Sequence, residues 1–125
     1  MTQEQKQLLL IDLCARLPYG VKCEVIKRRI DGEMVYIRNG SDALELTINN
    51  VKELVTDNLY EIKPYLFPLS SMTEEQEKEC QKIKHSYYYD DDAFVLFDWY
   101  DKNHFDYRGL IPMDLANDCT NLNIY

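Results

Sequence analysis

The chain has 125 residues, of which 46% are hydrophobic and 29% charged, and its formal net charge is −8. This length and composition suffice for one hydrophobic core, which argues against a chain that is disordered throughout. Residues 73–125 hold twelve Asp/Glu against five Lys/Arg, whereas residues 1–72 are almost balanced, so the acidic half is a poor surface for direct binding of nucleic acid.

The first residues predict a capped helix. Thr2 and Gln5 have the spacing of a capping box, in which each side chain satisfies a backbone N–H of the other residue. The apolar positions that follow recur at helical spacing and are Leu10, Leu13, Cys14 and Leu17. Pro18 ends the helix.

An antiparallel meander is predicted next. Val21, Cys23 and Val25 alternate with polar residues, which is typical of a half-buried strand. Asp31-Gly32 favours a hairpin turn into a return strand at Met34–Arg38. A second such turn signal, Asn39-Gly40, leads into an alternating third strand at residues 44–48.

The stretch from residue 49 to residue 69 is less regular. Asn49-Asn50 is predicted to cap a short helical turn, and residues 59–62 are predicted to form a fourth strand at the sheet edge. Pro64 and Pro68 are expected to prevent long regular structure after it.

The C-terminal half is predicted to be mainly helical. Thr73 and Gln76 repeat the capping-box spacing and open a polar helix that runs to about His85. Asp91 or Asp92 is predicted to cap a further helix. One side of that helix would carry Ala93, Leu96, Phe97, Tyr100 and His104.

Gly109 is predicted to end that helix, and a short last helix is predicted over residues 113–117. Together these elements predict a single α+β domain over residues 1–125. A three- to four-stranded antiparallel meander would pack against the N-terminal helix and the C-terminal helices.

Two segments carry a resemblance to a known family. Residues 63–75 read KPYLFPLSSMTEE, and residues 98–111 contain Asp98-Trp99 followed by NHFDYRGLI. Both resemble a family of short uncharacterised proteins of Bacteroides-type gut bacteria and their prophages, although a basic residue is expected in place of Phe67. The resemblance implies a phage- or mobile-element-related origin and a cytoplasmic setting, and it implies no activity.

The cysteines and the N-terminus also favour the cytoplasm. The four cysteines form no CxxC pair, so neither a zinc ribbon nor a thioredoxin-like motif is predicted. The polar first residues, and an apolar run broken by Asp12, resemble neither a signal peptide nor a membrane span. No metal, cofactor or membrane contact is predicted.

The leading functional hypothesis is that this chain binds another protein. A basic protein is one candidate for that partner. Tyr, Trp and Arg dominate binding hot spots, and they are concentrated between residues 87 and 108. The predicted contact residues are Tyr88, Tyr89, Trp99, Tyr107 and Arg108.

Two alternative functions remain open. His104 with Asp106, Asp98 and Asp101 could form a general base with carboxylate partners, as in a small hydrolase or nuclease, if these groups converge in space. No phosphate loop, nucleophile elbow or zinc-protease motif supports an enzyme. The second alternative is an acidic decoy that mimics DNA, in which the charges after residue 73 form a continuous ridge.

Overall fold

A computed structural model describes residues 1–28, 34–38, 46–57, 59–90 and 93–125, with the backbone alone at 28, 34–38, 86–90 and 93. The helices are α1 (Gln3–Arg16), α2 (Ile48–Thr56), α3 (Glu74–Asp90) and α4 (Ala93–Lys102). The strands are β1 (Cys23–Arg28), β2 (Met34–Arg38), β3 (Tyr60–Leu66) and the two-residue β4 (Asn117–Asp118). The predicted α+β class is confirmed.

Local capping signals determine where the helices begin. Thr2 caps α1 and forms the predicted box with Gln5. Thr73 accepts a hydrogen bond from the backbone N–H of Gln76, whose side chain bonds back to the Thr73 N–H. The predicted cap at Asp91 or Asp92 lies outside the described residues.

The sheet is mixed, which corrects the prediction of a purely antiparallel meander. The strand order is β2-β1-β3-β4. β1 pairs antiparallel with β2 and with β3, whereas the short β4 pairs parallel with β3. Three full strands therefore form the sheet, and β3 lies inside it rather than at its edge. The predicted turns at Asp31-Gly32 and Asn39-Gly40 lie outside the described residues.

The third predicted strand is wrong where the structure describes it. Residues 46 and 47 have no regular structure and Ile48 begins α2, while residues 44 and 45 lie outside the described part of the chain. Thr47 is the N-cap of α2, and its side chain and that of Asn50 form a capping box. The predicted helical turn here is thus a full helix that begins earlier in the chain.

Pro64 lies within β3, although it was expected to end regular structure. Successive N–H groups of a strand point to opposite edges, and the Tyr65 N–H donates to the Lys22 carbonyl on the β1 side. An N–H at position 64 would therefore point to the other edge, where β4 pairs only with Tyr65 and Leu66. The proline removes no hydrogen bond from either ladder.

Two separate hydrophobic clusters stabilise the fold. The larger one joins α1, α2, β1 and β3 around fully buried residues such as Leu9, Val25 and Leu66. The smaller one joins α3 and α4 around Cys80, Trp99, Tyr100 and Phe105. The aromatic side of α4 therefore packs within this second cluster, whereas the prediction placed it on the sheet beside the first helix.

The segment after α4 differs from the prediction. α4 ends at Lys102 and not at the predicted Gly109, so His104 lies beyond it with a left-handed backbone, φ +61°. Residues 113–116 form turns and bends that lead into β4, so the predicted helix over residues 113–117 is wrong. Phe67 and Phe105 form an isolated parallel bridge that fixes this segment against the end of β3.

Candidate functional site

A buried ion cluster connects α1 to the segment after α4. Asp12 is completely buried, and its two carboxylate oxygens accept hydrogen bonds from different arginines. Arg16 Nε donates to Oδ2 at 2.9 Å, and Arg108 Nη1 donates to Oδ1 at 2.7 Å. Arg16 is equally buried and also donates to the Phe105 carbonyl at 2.6 Å. Asp12 is therefore the centre of this cluster.

Asp101 on α4 is the fourth member of the cluster and is held less closely. Its Oδ1 lies 3.6 Å from Arg108 Nη1 and 3.9 Å from Arg16 Nη2. These are ion-pair distances, and no described residue gives Oδ1 a hydrogen bond. Burial raises the pKa of the Asp101 carboxyl, and the nearby Arg16 opposes that shift. Asp101 thus keeps unused capacity to accept hydrogen bonds.

Tyr107 lies over both arginines. Its ring is 4.4 Å from the Arg108 guanidinium and 5.6 Å from that of Arg16, within the range of cation–π contact. Its hydroxyl faces the Asp101 carboxyl and helps to lower the pKa of that carboxyl as a hydrogen-bond donor, although the geometry of the pair falls short of a full hydrogen bond. Burial raises the pKa of the Tyr107 hydroxyl, which stays protonated as a donor.

A shallow depression of about 530 Å³ opens beside this cluster. Ala15 of α1 lies on one side, and the polar residues of its lining are Asp98, Asp101, Tyr107 and Arg108. The apolar residues Phe94, Val95 and Phe97 complete the wall, and we call these three the α4 patch. The depression therefore combines charged groups with exposed apolar side chains.

The α4 patch is unusually exposed for its residue types. Phe94 is 84% exposed, Val95 51% and Phe97 43%. The Phe97 ring stacks on Tyr107 with ring centroids 5.3 Å apart, so part of the patch is held rigidly against the cluster. Scattered apolar residues are common on surfaces, but a group of neighbours beside a depression is typical of a contact site.

The predicted contact residues do not all lie at this surface. Tyr107 and Arg108 line the depression, as the hypothesis requires. Trp99 is only 8% exposed and packs against Phe105, so its ring offers no surface for a partner. Tyr88 and Tyr89 belong to the backbone of α3, and their side chains lie outside the described residues.

His104 is buried away from the carboxylates that were predicted to assist it. Its ring stacks on Tyr125 with centroids 3.7 Å apart, and its Nδ1 finds no hydrogen-bond partner among the described side chains. Burial lowers its pKa to about 4, and the charges that contribute are the cations Arg16 and Lys22. His104 is therefore neutral near pH 7.

The lowered pKa of His104 predicts a loss of stability in acid. The ordinary value is 6.5, so the unfolded chain binds a proton at this residue between about pH 6.5 and pH 4, whereas the folded chain does not. The free energy of unfolding should therefore fall over this range. Urea unfolding at about pH 7 and pH 5 should show a larger loss for the wild type than for His104→Asn, which tolerates a left-handed backbone. Equal losses would contradict a buried, neutral His104.

The carboxylates of the catalytic alternative have other partners. Asp106 accepts hydrogen bonds from the backbone N–H groups of Leu110 and Ile111, at 2.8 and 2.9 Å. Asp98 accepts a hydrogen bond from the Tyr19 hydroxyl, and Asp101 belongs to the ion cluster. The structure therefore does not bring these groups together around His104.

The remaining hypotheses find limited support. Among the residues with described side chains, no group of three His, Cys, Asp or Glu is placed to hold a metal ion. The acidic ridge of the decoy hypothesis stays a prediction, because the side chains of residues 86–93 are not described. In the described part of the chain, no helix has the length and apolarity needed to cross a membrane.

Sequence reasoning missed Phe94 and Val95 as surface residues and Asp12 and Arg16 as members of a buried cluster. Asp12 and Arg16 have the i,i+4 spacing of a helical ion pair, which was a usable signal for their mutual contact.

Comparisons with protein-family models, curated proteins and solved structures found no match. The functional argument therefore depends on the geometry of this chain.

Proposed function

We propose that this chain is a cytoplasmic accessory protein that binds another protein through the α4 patch. The observation that carries the proposal is the exposure of Phe94, Val95 and Phe97 on one helix beside a depression with a charged floor. Contact sites commonly combine aromatic anchors with a polar margin. The proposed contact surface thus keeps Tyr107 and Arg108 and replaces Trp99 by the α4 patch.

The support beneath the patch is rigid. The Phe97 ring stacks on Tyr107, and the Arg108 guanidinium lies 4.4 Å from the centroid of the Tyr107 ring. Arg108 is fixed in turn by its hydrogen bond to buried Asp12. Side chains that are already ordered lose less conformational entropy when a partner binds.

The surface extends from α4 onto α1. Ile11 is 52% exposed, and Ala15, four residues later on the same helical face, lines the depression. A partner that covers the α4 patch would therefore also contact α1. The resemblance of residues 63–75 and 98–111 to short proteins of gut bacteria and prophages supports a phage- or mobile-element-related role.

The test compares two serine variants by affinity capture from a Bacteroides-type bacterium, with quantification by mass spectrometry. Phe94→Ser should weaken recovery of a specific partner by about tenfold or more, the effect expected when one apolar anchor is lost. Ile48→Ser is the matched control, because Ile48 is 66% exposed on α2. Recovery of the same proteins in equal amounts by both variants, or of no specific protein by the wild type, would contradict the proposal.

A further inference from the structure

We propose that the depression beside the α4 patch binds a lysine or arginine side chain of the partner protein, with the exposed Asp98 carboxylate as its hydrogen-bond acceptor and Asp101 as a second, buried negative charge. This inference rests on the proposed function and adds the chemistry of the partner segment. That segment would carry a basic residue flanked by apolar ones.

The first argument is an incompletely paired carboxylate beneath the depression. Both carboxylate oxygens of Asp12 already accept hydrogen bonds, one from Arg16 and one from Arg108. Asp101, whose side chain is only 9% exposed, receives no hydrogen bond at Oδ1 from the described residues. Carboxylates at such depth are normally fully hydrogen-bonded. Oδ1 itself is enclosed between the two guanidinium groups, at 3.6 and 3.9 Å, so Asp101 would act on an incoming cation through its charge rather than through a hydrogen bond at this atom.

The second argument is the sign of the local charge. Among the described residues, the charged groups that line the depression or contact one another beneath it are three carboxylates, Asp12, Asp98 and Asp101, and two guanidinium groups, Arg16 and Arg108. One negative charge is left over, so a cation completes the cluster and an anion is repelled. The acidic surroundings of residues 73–125 favour the same partner.

The third argument is the shape of the wall. Phe94, Val95 and Phe97 present apolar surface next to the carboxylates. Lysine and arginine bury their aliphatic stems along apolar surface while their charged heads reach polar groups. The same wall accepts the apolar neighbours of that residue in the partner chain.

Two synthetic peptides test this inference on the full chain. The first is acetyl-Val-Leu-Lys-Leu-amide, and the second has norleucine in place of lysine. Nuclear magnetic resonance titration should place the lysine peptide at residues 94–98 and 107–108, with an affinity about tenfold above that of the norleucine peptide. Equal affinities, or shifts confined to another surface, would overturn the inference.

Asp101→Asn should remove most of the preference for lysine, whereas Glu75→Gln, which removes one carboxylate from exposed α3, should keep it. If Asp101→Asn does not fold, Asp98→Asn on the exposed margin should lower the preference by about half or more. A preference unchanged in the folded variants would overturn the assignment. Resonance shifts at the α4 patch that depend on protein concentration without peptide would also overturn it, because they would indicate that a second copy of the chain binds there.

The outcomes separate the two proposals. Loss of the partner on Phe94→Ser with no preference for lysine would leave the proposed function intact and remove only the basic side chain. If Phe94→Ser left the set of partners unchanged but the peptides showed a clear preference for lysine, the proposed function would be removed and the site for a basic side chain would remain.

Discussion

Asp12→Asn is expected to lower the free energy of unfolding by about 3–5 kcal/mol, the cost of removing one partner from a buried ion pair. Asp12 is completely buried and accepts hydrogen bonds from Arg16 Nε and Arg108 Nη1. An asparagine keeps the volume but loses the charge, and its amide NH₂ would meet guanidinium donors. Among the described residues, the counter-ion left to the fully buried Arg16 would be the more distant Asp101, at 3.9 Å.

The measurement is urea unfolding followed by far-ultraviolet circular dichroism. The matched control is Asp114→Asn, which removes the ion pair between Asp114 and Lys63 on the surface, where Asp114 is 90% exposed. Surface pairs contribute about 1 kcal/mol or less, so the control should unfold almost as the wild type does. A loss for Asp12→Asn as small as that of the control would show that Asp101 can replace Asp12 as the anion.

A double-mutant cycle identifies the pair responsible. Arg16→Met removes the buried cation and keeps an apolar stem of similar length. If Asp12 and Arg16 act together, the double variant should be less destabilised than the sum of the single variants, by about 1 kcal/mol or more. Strict additivity would assign the loss to the bond between Asp12 and Arg108.

The parts of the fold that were predictable depend on signals within a few residues. The capping boxes at Thr2 and Thr73 each need two side chains three residues apart, and both begin helices where they were expected. The box at Thr47 has the same geometry with asparagine in the third position. It was overlooked because Leu46 and Ile48 continued an alternating pattern, and alternation over so few residues does not distinguish a strand from a capped helix start.

Long-range partners explain most of what was not predictable. The parallel pairing of β3 with β4 joins Tyr65 to Asn117, and no local pattern encodes a pairing over such a distance. Pro64 was expected to interrupt the strand. Its actual effect depends on which edge of β3 is paired at that position, and the local sequence does not show this. The ion cluster likewise needs Arg108 to reach Asp12 across 96 positions of sequence.

The candidate site shows the effect of a small rotation about one helix. Leu96 and Tyr100 of the predicted apolar side of α4 are buried, but Phe97 is 43% exposed and Trp99 is buried instead. The predicted and the buried sets both satisfy spacings of three and four residues, so periodicity alone could not choose between them. The choice is made by a residue beyond the helix, Phe105, whose ring stacks on Trp99 with centroids 5.6 Å apart. As a result, Phe94 and Phe97 lie on the surface, and Trp99 lies in the smaller hydrophobic cluster.

Trp99→Ala is expected to lower the free energy of unfolding by about 3–5 kcal/mol, the usual cost of truncating a large buried aromatic residue. The Trp99 ring stacks on Phe105 with centroids 5.6 Å apart and meets Tyr100 edge-on at 5.7 Å. These three rings form the centre of the smaller cluster, so the variant leaves a cavity between α3 and α4. The hydrogen bond from Asn103 Nδ2 to the Trp99 carbonyl would remain, since it uses the backbone.

Phe94→Ala is the matched control for this variant, because it truncates an aromatic side chain on the same helix that is 84% exposed. Its effect on the free energy of unfolding should stay within about 0.5 kcal/mol. Both variants are measured by urea unfolding with circular dichroism. The order of the two losses decides between the two orientations of α4. If Phe94→Ala cost as much as Trp99→Ala, or more, the aromatic ring at position 94 would be part of the folded core, and the α4 patch would not be available to a partner.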